Sequence, residues 1–551
     1  MGAGGFFTAD REKYRTLAGA WVVPEPRRCV QCGVCAFNCP MGLDVRRHAW
    51  RSEPVGDSAC LTCGECAKRC PRGLLHFEPM DARLAGSVAP AAQGRTETPG
   101  RQGDGHAPER RRRRPAPPRR HVLVGGGPAT IAAAEAIRGA DADAQIVVIA
   151  EDPHGYYSRP GLAYYLTDEL PERRLFPFGA AELRALGVTW VGERAEAVEP
   201  DAHQVVLASG RRLGYDRLLL ATGSSAIPAS VPGADLDGVV KLDNMDDARD
   251  IIRRSREAQA AVVVGGGITA LEIVEGMRAR GARVHYFMRK DRYWSNVLSA
   301  TESTIVERRL RREGVEIHPF TDLAGIAGRG GRVSGVQTQD GATIPCDLVA
   351  VAVGVRPRVE LARAAGLPCA RGVLVDEYLR AGDPDIYAAG DIAEIADPES
   401  GRGVLNVLWN VAVAKGTVAG LNMATEPRQV YSEIKPLNIT RLAGLHTTII
   451  GTVGNGGDAD LQGLSRGDSQ VWSELREEDM VEVERGEAHV RVALGERTID
   501  GAVVMGDQAL SFPLQELVEA RVDLSAAERV LATPLADVIC DVRGDWEACR
   551  G

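Results

Sequence analysis

HVLVGGGPATIAAAEAIRG, residues 121–139, is the stretch on which the fold turns. Val122, Leu123 and Val124 make a short apolar run that enters Gly125-Gly126-Gly127-Pro128-Ala129-Thr130, and apolar residues at helical spacing follow. A second apolar run, AQIVVIAED, occupies 144–152. Strand, glycine turn, helix and strand in this order form the unit that holds a dinucleotide pyrophosphate at a helix N-terminus. Gly125 permits the tight turn and Gly127 lets the backbone approach the phosphates. Thr130 departs from the Gly or Ala that packs helix on strand at that position. Glu151 ends the second run, where an acid accepts hydrogen bonds from a ribose.

The unit recurs as AAVVVGGGITALEIVEGMRARG at 260–281, followed by ARVHYFM at 282–288. Gly265, Gly267 and Ala270 put a small residue at each required position. An acid at the end of the second strand would bind the 2′-hydroxyl of NAD, whereas arginine accommodates the 2′-phosphate of NADP. Met288 removes the acid, and Arg289 and Lys290 supply positive charge, so the pattern favours NADP(H) and leaves NAD(H) open. Either basic residue could simply face solvent. All-apolar strands alternating with helices mean parallel sheets covered on both faces.

Upstream, Cys29, Cys32, Cys35 and Cys39-Pro40 have the spacing C-x2-C-x2-C-x3-C-P, and Cys60, Cys63, Cys66 and Cys70-Pro71 repeat it. Three cysteines at this interval surround one corner of an iron–sulfur cube, and the fourth ligates the other cube. One [4Fe–4S] cluster would use Cys29, Cys32, Cys35 and Cys70; the other would use Cys60, Cys63, Cys66 and Cys39. Zinc knuckles are the competing chemistry, but they use separated C-x2-C pairs without the third cysteine or the trailing C-P.

Residues 25–80 resemble bacterial two-cluster ferredoxins. Downstream, LLLATG (218–223), IYAAGD (386–391) and Arg159-Pro160 resemble the FAD-binding elements of two-dinucleotide-domain flavoprotein reductases, the pyridine nucleotide–disulfide oxidoreductase superfamily. YYSRPGLAYYL (156–166), VAVGVRP around Gly354, AAGDIAE (388–394) and LNVLWNVAVAKGTVAGLNMA (405–424) are most similar to its ferredoxin-, rubredoxin- and nitrite-reductase-type branch. The resemblance implies that FAD is bound with Thr222, Gly223 and Gly390 in its turns. Asp391 would hold the ribityl chain, Arg159 lie near the pyrophosphate, Trp409 near the flavin ring and Glu272 near the nicotinamide. A core aromatic and a first-turn glutamate favoured by the helix dipole are the plainer readings of Trp409 and Glu272. Related sequences often carry a lysine four or five residues beyond the arginine; here Ala163 and Tyr164 stand there. The redox disulfide of the superfamily name is missing. No cysteine lies between Cys70 and Cys346, and Cys346, Cys369, Cys540 and Cys549 lack close partners in sequence, which disfavours disulfide reduction.

The 551 residues allow three to four domains. The expected division is a two-cluster module at 1–80, a Pro/Gly/Arg-rich linker at 81–120, an FAD domain at 121–240 and 358–430, an NAD(P) domain at 241–357, and a small α+β domain at 431–551. The fold class is thus multidomain, with two Rossmann-like α/β domains between two α+β pieces. Residues 1–120 carry 21 basic and 12 acidic side chains against 45 and 63 in the remainder, a contrast that favours docking of the two parts or reflects a solvated basic linker. The run Arg110 to Arg114 sits beside no recognition module or aromatic platform, so nucleic-acid binding is not expected. No apolar stretch is long enough to span a membrane, the first residues do not read as an export signal, and a cytoplasmic protein is expected.

These readings converge on an NAD(P)H oxidoreductase passing electrons between the nicotinamide, FAD, two [4Fe–4S] clusters and a protein redox partner, in a direction the sequence leaves open. The alternative is an electron-transfer subunit whose partner carries the substrate site; a redox sensor is a third reading. Related reductases use the C-terminal region in subunit contacts, which implies a homodimer.

Overall fold

The computed structural model describes residues 20–39, 43–56, 60, 64–79, 118–396, 403–426, 428–454, 472, 480–485, 488–495, 497–508 and 510–522. Cys63, Pro40, most of the expected linker and the chain beyond 522 lie outside the described residues.

The run around Val122 forms the strand Arg120–Val124, at the centre of a five-stranded parallel sheet ordered Ile386–Ala388, Arg217–Leu220, Arg120–Val124, Gln145–Ile149, Val188–Val191. Period-two alternation divides its side chains. Leu123 packs with Ala129, Ala133 and Ile137 of the helix Pro128–Ala140. Val122 and Val124 face Val198, Val205 and Leu207 of an antiparallel three-stranded sheet on the opposite side. The strand is apolar throughout because both of its faces are covered.

A second parallel sheet repeats the plan in the order Val239–Val240, Leu348–Val351, Ala260–Val264, Arg283–Phe287, Glu316–His318. Ala261 and Val263 face the helix Ile268–Ala279, while Val262 and Val264 face another antiparallel meander. Its first strand begins two residues before the expected boundary at 241.

The helix Trp409–Ala424 crosses Pro128–Ala140 at very close range. A Cβ on Gly416 would fall 2.2 Å from the Ala129 carbonyl oxygen, and one on Gly420 would fall 2.5 Å from that of Ala133. Two glycines one turn apart thus bring the helix Trp409–Ala424 onto the helix that begins at the first glycine loop.

The C-terminal piece is a five-stranded antiparallel sheet with the helix Ser511–Ala520 against it. Of the segments whose sequence reads as short strands, 481–497 and 498–506 match the strands Met480–Arg485, Ala488–Leu494 and Ile499–Met505, while 471–479 lies almost wholly outside the described residues; the hairpin Leu437–Leu442 with Leu445–Gly451 adds two more that the sequence reading did not single out. No described helix is long and apolar enough to cross a membrane.

In the cysteine-rich module, Ala20–Pro24 pairs antiparallel with Leu75–Pro79. Gly33 and Gly64, at the same place in each cysteine repeat, take left-handed conformations (φ +90° and +77°) and start the helices Val34–Phe37 and Glu65–Arg69. The module is packed against the α/β domains rather than tethered apart. Val30, Cys32 and Val34 share a core with Tyr157, Leu162 and Leu166. Tyr156 donates to Gln31 at 2.8 Å, Ser158 to the Val30 carbonyl at 3.0 Å, and Arg46 to the Arg174 carbonyl at 2.9 Å. Gly33 lies so close that a Cβ would meet that same carbonyl at 2.6 Å. Arg28 extends the contact to the C-terminal domain, donating to Ser511 at 3.1 Å. Apolar burial and hydrogen bonds carry this contact more visibly than the expected charge contrast, although Arg27 and Glu519 do pair at 2.7 Å.

Candidate functional site

Ligands of open α/β sheets bind outside the carboxyl ends of the strands. A cavity of about 760 Å3 opens there, at the Gly125 loop. Its walls include Gly125, Gly127, Pro128, Ala129, Glu151, Arg159, Thr222, Gly223, Gly390, Asp391 and Trp409, which together are the residues assigned to FAD from the sequence except Thr130. Gly125 has φ +122°, and a Cβ there would lie 2.1 Å from the Ala221 carbonyl. At Gly127 a Cβ would meet no protein atom within 4 Å, so the space a phosphate needs is left free. Thr130 is fully buried and donates to the Gly125 carbonyl at 2.9 Å, bracing the loop from behind. That contact accounts for the departure at the third position.

Asp391 accepts from the Ser224 hydroxyl at 2.6 Å, Thr222 donates to the Arg358 carbonyl at 2.8 Å, and the Arg159 guanidinium stands 5.1 Å over the Tyr157 ring. A glycine loop, a carboxylate, a cation and an indole suit a pyrophosphate, a polyol and a flat ring, and the volume is that of a cofactor-sized site. The residues present fit FAD.

From the second unit, Glu272 joins the same walls together with Thr269 and Glu275. Gly265 (φ +146°) starts the second loop against the Ala352 carbonyl, and Ala270 is fully buried behind it. Gly265, Gly267, Ala270, Arg289, Lys290 and Gly354 are not among the cavity's lining residues. Arg289 and Lys290 are exposed just past the strand Arg283–Phe287, and Gly354 is buried in the turn before Val355–Pro357.

Cys29, Cys35, Cys66 and Cys70 are buried in one small core, with Cys39 and Cys60 packed against it. Burial pushes the Cys29 thiol up to about 12 and the Cys70 thiol up to about 11, and each feels its neighbouring cysteines. Converging thiols with so little to stabilise their charge suit a set of cationic irons, whose binding deprotonates them. Here too the donor set fits the group.

The cavity has walls that the sequence reading missed. Arg28, Val30 and Arg72 of the cysteine module line it, as do Leu437 to Arg441 of the C-terminal hairpin. Arg72 is buried, and its Nε has no hydrogen-bond partner among the described residues. Its charge reaches Cys29, Cys32, Cys70 and Tyr164. Tyr164, where a lysine was expected, lies under the Arg441 guanidinium at 5.3 Å. Burial pushes the Glu275 carboxyl up to about 7 despite the pull of Arg441. None of these residues stands in a motif, and which domains meet is not written in any one segment.

The family described as pyridine nucleotide-disulphide oxidoreductase matches residues 119–416, and the 4Fe-4S dicluster domain matches residues 28–75. The ferredoxin–NAD(+) reductase component of the biphenyl dioxygenase system of Paraburkholderia xenovorans is 31% identical over 63% of this chain and 84% of that protein. A rubredoxin–NAD(+) reductase of Ectopseudomonas oleovorans is 29% identical over 59% of this chain and 86% of its own length. Among solved structures, a ferredoxin reductase from Rhodopseudomonas palustris superposes with a TM-score of 0.66 at 25% identity, covering 73% of this chain and 95% of that one.

Proposed function

The chain belongs to the pyridine nucleotide-disulphide oxidoreductase family, and on that premise we propose that it is an FAD-dependent NAD(P)H:ferredoxin-type oxidoreductase with its own two-cluster relay, located in the cytoplasm. The observation that carries this reading is the shared wall. Arg28, Val30 and Arg72 of the cysteine module line the same cavity as Trp409, Asp391 and Glu272.

When bound, FAD supplies the exchange of one hydride for two single electrons and a proton, and the clusters supply one-electron storage. The Gly125 loop and Arg159 would hold the pyrophosphate, and Asp391, fixed by Ser224, the ribityl chain. Glu272, on the helix that starts at the Gly265 loop, would position the nicotinamide. Arg289 and Lys290 would receive a 2′-phosphate. Cys29, Cys32, Cys35 and Cys70 would hold the cluster nearer the cavity, because Cys32 shares its core with Tyr164 and Leu162. Cys39, Cys60, Cys63 and Cys66 would hold the one from which a protein partner exchanges electrons. Arg28, Arg72 and Arg441 bring positive charge where the expected lysine is absent.

The test is anaerobic reduction of a soluble ferredoxin by the purified protein with NADPH or NADH. Wild type should sustain turnover, and Cys35→Ser should abolish it while flavin is still reduced. Flavin reduction without ferredoxin turnover, together with a tightly co-purifying protein, would favour the reading as an electron-transfer subunit of a larger complex.

A further inference from the structure

Two neighbouring parallel strands of the second sheet, Arg283–Phe287 and Glu316–His318, pair His285 with Glu316 and Phe287 with His318. Residues two apart on a strand share a face, so His285, Glu316 and His318 meet on one side. His285 Nδ1 lies 3.1 Å from His318 Nε2 and 3.4 Å from a Glu316 carboxylate oxygen, and the three atoms all fall within 4.8 Å of one another. We propose that His285, Glu316 and His318 form a binding site for a borderline divalent cation, zinc above all, separate from the iron–sulfur cysteines. The site stands independently of the oxidoreductase reading.

Three features support it. Ligand atoms at about 2.0–2.1 Å from a tetrahedral zinc lie roughly 3.3–3.4 Å apart, close to the spacings found. Two imidazoles and one carboxylate form the donor set that zinc, nickel or copper accepts and that magnesium and calcium do not favour. The second carboxylate oxygen of Glu316 accepts from Arg283 Nε at 2.8 Å, which orients the first toward the histidines as outer partners of metal ligands do.

The position leaves a coordination place open. Glu316–His318 is the edge strand of its sheet, with Glu316 exposed and His318 half-buried, so a cation and its water can enter from solvent. The ligands are also tied to the segment expected to choose between nucleotides. Met288 donates to the His318 carbonyl at 3.0 Å, and Thr321 to the Met288 carbonyl at 2.9 Å.

The experiment is equilibrium dialysis of the cluster-loaded, FAD-loaded protein against micromolar zinc, counting zinc and iron per chain by mass spectrometry. Wild type should take up one zinc per chain without losing iron. His318→Ala should weaken that uptake about tenfold or more, and Glu316→Gln should weaken it as well. X-ray absorption of the wild-type complex should give a shell of nitrogen and oxygen only. Equal uptake by wild type and His318→Ala, no uptake at all, or sulfur in the shell would each overturn the site.

Discussion

The Trp50 indole meets the Trp409 indole edge-on, with ring centroids 5.2 Å apart and planes at 77°. Trp50 belongs to the helix Val45–Arg51 of the cysteine module, and Trp409 opens the helix that walls the flavin-sized cavity. One contact therefore joins the two halves of the proposed electron path. Trp50 also hydrogen-bonds Glu135, on the helix that begins at the first glycine loop.

Replacing Trp50 with leucine removes an aromatic pair worth about 0.5–1.5 kcal/mol beyond its buried area. Flavin reduction by nicotinamide nucleotide should be unchanged, because no residue at that step is altered. Onward reduction of an external ferredoxin should slow several-fold. Stopped-flow absorbance separates the two steps.

Arg72→Gln deletes a buried cation beside Cys29, Cys32 and Cys70. A cluster gains negative charge on reduction, so losing the cation should make its reduction potential more negative. Flavin content should stay the same. A redox titration followed by EPR reads the shift, and an unmoved potential would place Arg72 outside the relay.

Gly416→Val should break the helix crossing, since even a Cβ would lie 2.2 Å from the Ala129 carbonyl. Overpacking of this kind costs about 1–3 kcal/mol or more. The glycine loop is displaced with its helix, so the purified variant should lose FAD while keeping its clusters. Released flavin fluorescence and iron content check this.

Glu275 carries a pH signature. Its folded pKa of about 7 lies above the ordinary 4.5, so the unfolded chain ionises first and stability is lost as pH rises through that window. Glu275→Gln keeps an acceptor for the Gly444 and Ala443 amides without the charge. It should melt above wild type at pH 8, by an amount equivalent to about 1–3 kcal/mol, and the difference should vanish toward pH 4.5. Melting curves at both pH values decide it.

Arg289→Glu should raise the KM for NADPH far more than the KM for NADH, because the new carboxylate repels a 2′-phosphate and accepts from a 2′-hydroxyl. Equal effects on both would place Arg289 outside the nucleotide site.

Much of this was legible in the sequence because the relevant signals are local. Val122 to Thr130 and Ala260 to Ala270 each contain a strand, a turn and a helix start within a few residues, so their sheets followed from short windows. The cysteine repeats carry their grouping in their spacing. What stayed hidden depends on contacts between distant segments. Arg72 reads as an ordinary residue after a Cys-Pro pair, and only packing brings its charge to bear on both Cys32 and Tyr164. Thr130 reads as a flaw in the motif until its hydroxyl is found on the Gly125 carbonyl. His285 and His318 are 33 residues apart and meet only because their strands are neighbours.

The central claim is that the cysteine module and the flavin cavity form one unit, and one measurement tests it most directly. The protein is mixed anaerobically with NADPH or NADH, and the reduction of its own clusters is followed by absorbance and freeze-quench EPR at several protein concentrations. If the module is docked as Trp50 and Trp409 indicate, cluster reduction follows flavin reduction at a first-order rate that does not change with protein concentration. A rate that rises in proportion to protein concentration would contradict the account.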